Sequence, residues 1–237
     1  MLAGVDHSLF LQSTVVVSLG GGLCALDRTA VLQGMLSRPL VAATVSGALV
    51  GNWGIGLLLG AILELYFLCE IPVGTNIPTD DTILALAAGG VAGVLRGIVE
   101  FAHINDRSLA LVVLVAVLPW SEFTRKLDAW VREWNQGLVD EAETDLLAGR
   151  NISAVNLHLR GFANFYGAAI FGLGLMMSVS LGVALLLLHV LPGWLTPVTD
   201  KLLLIFPLIG VAGLLTSMNK RRLFLVFAGA AACLLVF

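Results

Sequence analysis

Long apolar runs alternate with short polar stretches along the whole chain. The runs cover residues 9–26, 40–68, 82–99, 108–120, 166–191, 202–218 and 223–237. About 20 consecutive apolar residues are enough for an α-helix to cross a bilayer. The pattern therefore predicts an all-α integral membrane protein, a polytopic bundle in which several helices cross the membrane. Because no linker or low-complexity tract interrupts the pattern, residues 1–237 are expected to form a single transmembrane domain.

The run at 40–68 is too long for one ordinary span and is rich in glycine. Asn52 and Trp53 lie at its middle, among five glycines. The stretch is either one tilted helix or a broken, re-entrant pair of half-length helices, a device that transporters place beside their binding sites. The positive-inside rule favours the pair. Arg28 and Arg38 reach the same side of the membrane as the basic residues of 121–164 and 220–222 only if the chain folds back within 40–68.

Residues 121–164 have a different character, with frequent charges between regularly spaced apolar side chains. Trp130, Val131 and Trp134 recur at roughly helical spacing. This spacing predicts an amphipathic helical segment. Because cytoplasmic loops are enriched in Lys and Arg, the five bases of this segment and the three at 220–222 place both segments in the cytoplasm.

The composition agrees with a membrane protein and limits the functions that this chain is expected to have. Hydrophobic residues make up 58% of the chain, charged residues make up 12%, and the mean hydropathy is +0.96, whereas soluble domains carry about 25% charged residues. The net charge of −3 and the lack of a basic patch give no support for a nucleic-acid partner. The sequence has no phosphate-binding loop, catalytic triad or metal-ligand spacing. We therefore expect no catalytic residue, no metal and no cofactor on this chain.

Glu64 is unusual because it lies inside the apolar stretch 57–68. A charged side chain at the centre of a membrane helix costs about 3 kcal/mol, so this carboxylate needs a partner. It is either a hydrogen-bond acceptor for a polar solute at membrane depth or half of a structural ion pair with Arg28, Arg38 or Arg96. Of the two roles, we expect solute binding.

Other polar residues would join Glu64 if the glycine-rich run meets the proline-rich segment 70–81. Asn52, Asn76 and Asp80 would then supply amides and a carboxylate. Amides donate and accept hydrogen bonds, and carboxylates accept them. Such a group of side chains is suited to the hydroxyl groups of a sugar.

Asp80 and two residues of the connector before residue 40 also have structural interpretations. Asp is a preferred N-cap, and a helix is predicted to begin at Thr82, so capping and solute binding are equally expected of Asp80. Gln33 and Arg38 lie on the connector, where lining the same cavity and ordinary loop chemistry explain them equally well. The candidate solute-binding residues are therefore Glu64, Asn52, Asn76, Asp80, Gln33 and Arg38.

Four blocks of the sequence resemble enzyme IIC of the mannose/fructose/sorbose family of the bacterial phosphotransferase system (PTS). The blocks are LDRTAVLQGMLSRPL at 26–40, VGNWGIGL at 50–57, GAILEL at 60–65 and PVGTNIPTD at 72–80. The amphipathic stretch 130–164 also resembles the central cytoplasmic segment of that family.

This resemblance implies a sugar-translocating IIC subunit in the bacterial cytoplasmic membrane. Such a subunit pairs with a IID membrane subunit, in a homo-oligomer of IIC–IID pairs, and forms the path of a hexose or amino sugar. Soluble IIA and IIB subunits supply the phosphate, which agrees with the absence of a nucleophile in this sequence. The IIC subunit binds and moves the sugar but carries no phosphate.

Two other functions fit the same sequence. A membrane sensor or scaffold related to IIC would bind sugar without moving it. An ion-coupled secondary transporter would accumulate unmodified solute. We rank both below sugar transport with phosphorylation, which the four sequence blocks and the intramembrane Glu64 favour.

Overall fold

The computed structural model describes residues 7–70, 78–98, 104–190, 196–217 and 221–236. All regular secondary structure in these ranges is helical, as predicted for an all-α protein. In chain order the helices are α1 (His7–Leu26), α2 (Pro39–Leu49), α3 (Trp53–Tyr66), α4 (Asp81–Gly97), α5 (Asp106–Val117), α6 (Ser121–Leu147), α7 (Ala154–Val190), α8 (Thr196–Leu203), α9 (Ile205–Ser217) and α10 (Arg221–Val236). Short 3₁₀ turns follow α3 at Phe67–Cys69 and join α5 to α6 at Leu118–Trp120.

The glycine-rich run at 40–68 folds as a helical hairpin rather than as one tilted helix. α2 ends at Leu49, α3 begins at Trp53, and Gly51 in the turn has a φ of 84°, a left-handed conformation that glycine adopts easily. The two helices are about 16 and 21 Å long, shorter than the roughly 30 Å hydrocarbon core of a bilayer. The break predicted among the glycines is confirmed, and these lengths suit a re-entrant pair.

Glycines let α2, α3 and α4 approach one another at backbone distance. A methyl group on Gly56 of α3 or on Gly89 of α4 would overlap the carbonyl oxygen of Ala43 on α2. A methyl group on Gly60 would lie 2.8 Å from the carbonyl oxygen of Leu40. Small residues allow close van der Waals packing, which drives helix association where lipid replaces water. The hairpin and α4 are therefore packed as one unit.

α4 is the central helix of the bundle. Every residue from Thr82 to Leu95 is buried, and the helix contacts α1, α2, α3, α5 and α7. A helix that is apolar around its whole circumference is expected inside a bundle. Its N-terminus at Asp81 is the point where charged side chains meet this apolar core.

The amphipathic segment predicted at 121–164 is an antiparallel helical hairpin formed by α6 and the first part of α7. Asn164 Nδ2 donates a hydrogen bond to Asn135 Oδ1 at 2.8 Å, and Arg160 pairs with Glu141 at 3.0 Å. α7 has 37 residues and is about 55 Å long. Its amphipathic first part and its apolar second part are therefore one continuous helix, longer than a hydrocarbon core is thick.

Two helices in the described ranges are long and apolar enough to cross a membrane, judged by length and composition. They are the continuous helix at 106–147 and α7. The other apolar runs form shorter helices. The run predicted at 202–218 is divided, because α8 ends at Leu203 and α9 begins at Ile205.

Candidate functional site

Asp27 organises the connector between α1 and α2. Its buried carboxylate accepts hydrogen bonds from the backbone N–H groups of Gly34 at 2.7 Å, Leu36 at 2.7 Å and Ser37 at 3.2 Å. These bonds favour the charged form, so they hold the pKa of Asp27 below its usual value, with the bond from Gly34 contributing most. The connector is thereby folded around one side chain.

The backbone of this connector is strained. Leu32, Gln33 and Met35 have φ values of 52°, 52° and 66°, in the left-handed region that residues with a side chain rarely adopt. Each such residue costs on the order of 1–3 kcal/mol and persists only where the surrounding structure fixes it. The three hydrogen bonds to Asp27 supply that support, so the connector has one defined shape.

Arg28, the next residue, joins the connector to the N-terminus of α4. Its Nη1 lies 2.9 Å from Asp80 Oδ1 and 2.5 Å from Asp81 Oδ1. Its Nη2 donates to the carbonyl oxygen of Thr79 at 2.8 Å. The sequence suggests Arg28 as a partner of Glu64 but does not predict this role, since no local pattern relates residues 52 positions apart.

Asp80 caps α4, as one of its two interpretations predicts. Its Oδ1 accepts a hydrogen bond from the backbone N–H of Ile83 at 3.1 Å, as an N-cap residue does. The same oxygen faces Arg28, and Asp80 is buried. Capping and ion pairing therefore hold this carboxylate in place, while its role in solute binding stays a prediction.

Glu64 forms one of the ion pairs considered from the sequence. Its Oε1 pairs with Nη2 of Arg38, and its Oε2 accepts the backbone N–H of Leu40 at 3.3 Å. The side chain of Glu64 is 19% exposed and that of Arg38 is 57% exposed. The pair thus lies at the edge of the hairpin rather than in a closed core, and direct binding of a solute by Glu64 stays a prediction.

A polar cavity of about 210 Å³ lies between the connector and the N-terminus of α4. The carboxylate of Glu70 accepts the backbone N–H of Thr79 at 3.1 Å and its hydroxyl at 3.2 Å. The lining residues are Arg28, Ser37, Arg38, Glu70, Pro78, Thr79, Asp81 and Thr82. Guanidinium groups donate hydrogen bonds, and carboxylates accept them. The cavity is smaller than the roughly 300–1,000 Å³ of pockets for drug-sized ligands, and it suits a small molecule with several hydroxyl groups.

Asn52 lies at the other end of the hairpin. Its Nδ2 donates to the carbonyl oxygen of Gly93 at 2.9 Å, close to the C-terminus of α4. About 20 Å of helix separates Gly93 from Asp80. Asn52 therefore does not lie beside Glu64 and Asp80, because the two antiparallel helices of the hairpin direct its turn away from the connector, and its role in solute binding stays a prediction.

The remaining candidates differ in their relation to the cavity. Arg38 lines it, while Glu64 and Asp80 pair with arginines that line it. Gln33 is exposed on the connector and is not among the described residues that line the cavity. Asn76 lies outside the described residues. The structure therefore groups six side chains, here named the charged cluster: Arg28, Arg38, Glu64, Glu70, Asp80 and Asp81.

The sequence of this chain matches one protein family over nearly its whole length. The family described as "PTS system sorbose-specific IIC component" matches residues 11–235. This chain belongs to that family. The resemblance found in the sequence blocks is confirmed, and the IIC component is a membrane component of a PTS sugar-transport system.

A solved structure described as "Structure of membrane protein" resembles the IIC component. The two are 18% identical and superpose with a TM-score of 0.63, over 96% of this chain and 87% of the other. At this level of identity the likeness concerns the fold alone. Among curated proteins, none matches the chain.

Proposed function

We propose that this IIC component binds a hexose or amino sugar in the 210 Å³ cavity and moves it across the bacterial cytoplasmic membrane. A soluble IIB subunit then phosphorylates the sugar on the cytoplasmic side. The observation that carries this proposal is the polar cavity lined by charged side chains of both signs. The cavity lies where the connector meets α4, and Arg38 ties it to α3. Three of the four sequence blocks that resemble IIC subunits, at 26–40, 50–57 and 60–65, overlap the connector and α3, and the fourth ends at Asp80, directly before α4.

The side chains of the cavity match the chemistry of a sugar. Each sugar hydroxyl donates and accepts hydrogen bonds, and the cavity offers Asp81 and Glu70 as acceptors and Arg38 as a donor. Hydrogen bonds to charged groups contribute about 1.5–3 kcal/mol each. Because these groups already have protein partners that hold them in place, little ordering is needed when a sugar binds.

A multi-pass arrangement fits the helix lengths and the distribution of charge. The α2–α3 hairpin enters the membrane and returns, so Arg28 and Arg38 share the cytoplasmic side with the basic residues of the α6–α7 hairpin. The cavity then lies near the cytoplasmic side of the bundle. A sugar that leaves it reaches the compartment in which soluble IIA and IIB subunits carry phosphate.

A IID subunit completes the path beside this chain, and further IIC–IID pairs form a homo-oligomer. Leu223, Leu225 and Val226 at the start of α10 are 55%, 71% and 71% exposed. In a membrane protein, such apolar faces contact lipid or the helices of another subunit. The edge of the bundle near α10 therefore provides a surface for the bilayer or for a IID partner.

Sugar uptake by cells that contain the IIA, IIB and IID partners tests this proposal. With wild-type IIC, labelled mannose, glucose or an amino sugar should accumulate as the phosphorylated sugar. Glu64→Ala should abolish uptake at unchanged protein level. Glu133→Ala removes a carboxylate from the exposed surface of α6 and serves as the matched control, with unchanged uptake.

Other outcomes of the same experiment would overturn the proposal. Sugar binding without uptake by the wild type would instead support a membrane sensor or scaffold. Accumulation of unmodified sugar driven by protons or sodium would support a secondary transporter. Equal uptake by wild type and Glu64→Ala would contradict a transport path that depends on the pair of Arg38 and Glu64.

A further inference from the structure

Arg28 makes three contacts at the N-terminus of α4, which its suggested pairing with Glu64 does not explain. We infer that Arg28 is a positioning residue for the sugar site, which holds the Asp81 carboxylate in the wall of the cavity. The inference rests on the proposed function. Its geometric basis is the ion pairs with Asp80 at 2.9 Å and Asp81 at 2.5 Å, together with the hydrogen bond to the Thr79 carbonyl at 2.8 Å.

Arg28 also lines two cavities. Its side chain is only 19% exposed. It lines the 210 Å³ cavity and also a cavity of about 30 Å³, which Asp128 of α6 and Phe165 of α7 line as well. Arg28 therefore lies next to both the proposed sugar site and the α6–α7 hairpin.

Arg28 offsets the repulsion between two consecutive carboxylates. Asp80 and Asp81 are adjacent at the start of α4, and both face the same guanidinium. Without this guanidinium, the negative charges of the two neighbouring carboxylates would repel each other. Asp80 stays in place because it caps α4, so Asp81 is the carboxylate that turns away. Loss of Arg28 is therefore expected to act on sugar binding through Asp81.

The shape of the guanidinium matters as well as its charge. A planar guanidinium carries five N–H donors in a fixed fork, and Arg28 uses it to reach two carboxylates and a carbonyl at once. A lysine would keep the positive charge but not the fork. We therefore expect Arg28→Lys to recover part of the function that Arg28→Gln loses.

Arg96, at the other end of α4, provides a matched control. Its Nε pairs with Asp106 at 3.1 Å, and its Nη1 donates to the carbonyl oxygen of Ile104 at 2.7 Å. Like Arg28, it is a partly buried arginine that holds a carboxylate and a carbonyl beside α4, with 31% exposure. It does not line the 210 Å³ cavity. A general loss of stability should thus be similar in Arg28→Gln and Arg96→Gln.

The first experiment measures the Kd of labelled sugar for the purified IIC–IID complex and the KM and Vmax of uptake for each variant. Arg28→Gln should raise Kd and KM at least about tenfold, Arg28→Lys should raise them less, and Arg96→Gln should leave both unchanged. The inference would be overturned by equal Kd values for wild type and Arg28→Gln, or by equal losses of sugar affinity in Arg28→Gln and Arg96→Gln. Failure of the wild type to bind any sugar would instead overturn the proposed function on which it rests.

A second measurement tests whether Arg28 acts through Asp81, and it uses conservative variants that keep the fold. The Kd is measured for Arg28→Lys, Asp81→Asn and the double variant. If Arg28 works by holding Asp81, the double variant should bind sugar no more weakly than Asp81→Asn alone. If the two losses multiply, Arg28 and Asp81 act independently and the positioning role is excluded.

Discussion

The guanidinium of Arg38 pairs with the carboxylate of Glu64 across the open end of the α2–α3 hairpin. Arg38 directly precedes α2, and Glu64 lies in the last turn of α3, so the pair closes the hairpin opposite its turn at Gly51. The same arginine lines the polar cavity. Arg38 therefore both closes the hairpin and lines the polar cavity.

Arg38→Gln should weaken sugar binding more than it weakens the fold. More than half of the Arg38 side chain is exposed, and ion pairs of this kind contribute about 0–1 kcal/mol to stability. We expect the free energy of unfolding to fall by less than about 1 kcal/mol, while the Kd of the sugar rises at least about tenfold. Chemical unfolding and equilibrium binding on the same complex check this. A large loss of stability with unchanged Kd would mean that the pair only holds the hairpin.

Gly56→Ala should destabilise the protein, whereas Gly54→Ala should not. Both glycines lie on α3, but a methyl group at Gly56 would overlap the Ala43 carbonyl oxygen, and one at Gly54 would meet nothing within 4 Å. Overpacking of this kind costs about 1–3 kcal/mol, while alanine gains up to about 1 kcal/mol over glycine in an open helical position. Thermal unfolding of the two variants measures the difference, and equal melting temperatures would contradict the close contact of α2 and α3.

The stabilising effect of Asp27 should depend on pH. Its folded-state pKa lies below the ordinary value of 3.8 because backbone N–H groups bind the carboxylate. Wild type should therefore be more stable than Asp27→Asn above about pH 3.8, and this advantage should disappear as the pH falls through the folded-state pKa. Melting temperatures of both proteins across this range provide the test. A constant difference at all pH values would show that the charge of Asp27 is not what holds the connector.

Asn52→Ala should loosen the hairpin without affecting the sugar. The substitution removes the hydrogen bond to the Gly93 carbonyl, which should cost about 1 kcal/mol of stability. The Kd of the sugar should stay unchanged, since about 20 Å of helix separates Gly93 from Asp80 at the cavity. A tenfold weaker affinity in a properly folded variant would place Asn52 in the site after all.

Local sequence patterns are sufficient to predict much of this fold. The break at 50–52 follows from an apolar run that is too long for one span and has glycines at its middle. The amphipathic helical character of 121–164 follows from apolar side chains at helical spacing among charges. The capping role of Asp80 follows from its position directly before the next apolar run. Each of these features depends on residues that are neighbours in the chain.

The pairing of distant side chains is not accessible from such patterns. Arg28 and Asp80 are 52 positions apart, and any of several arginines is an equally good partner for a carboxylate on the basis of sequence. The contact of Asn52 with Gly93 is not predictable for a related reason. The position of Asn52 between glycines marks a turn but does not show which end of α4 that turn reaches, and tertiary packing places it beside Gly93.

Cryo-electron microscopy of the purified IIC–IID complex with bound hexose tests most directly whether the charged cluster forms the sugar site. We expect sugar density in the cavity between the connector and α4, within hydrogen-bond distance of Arg38 and Asp81. Density elsewhere, for example beside Asn52 at the turn of the hairpin, with only solvent in that cavity, would contradict the proposed site.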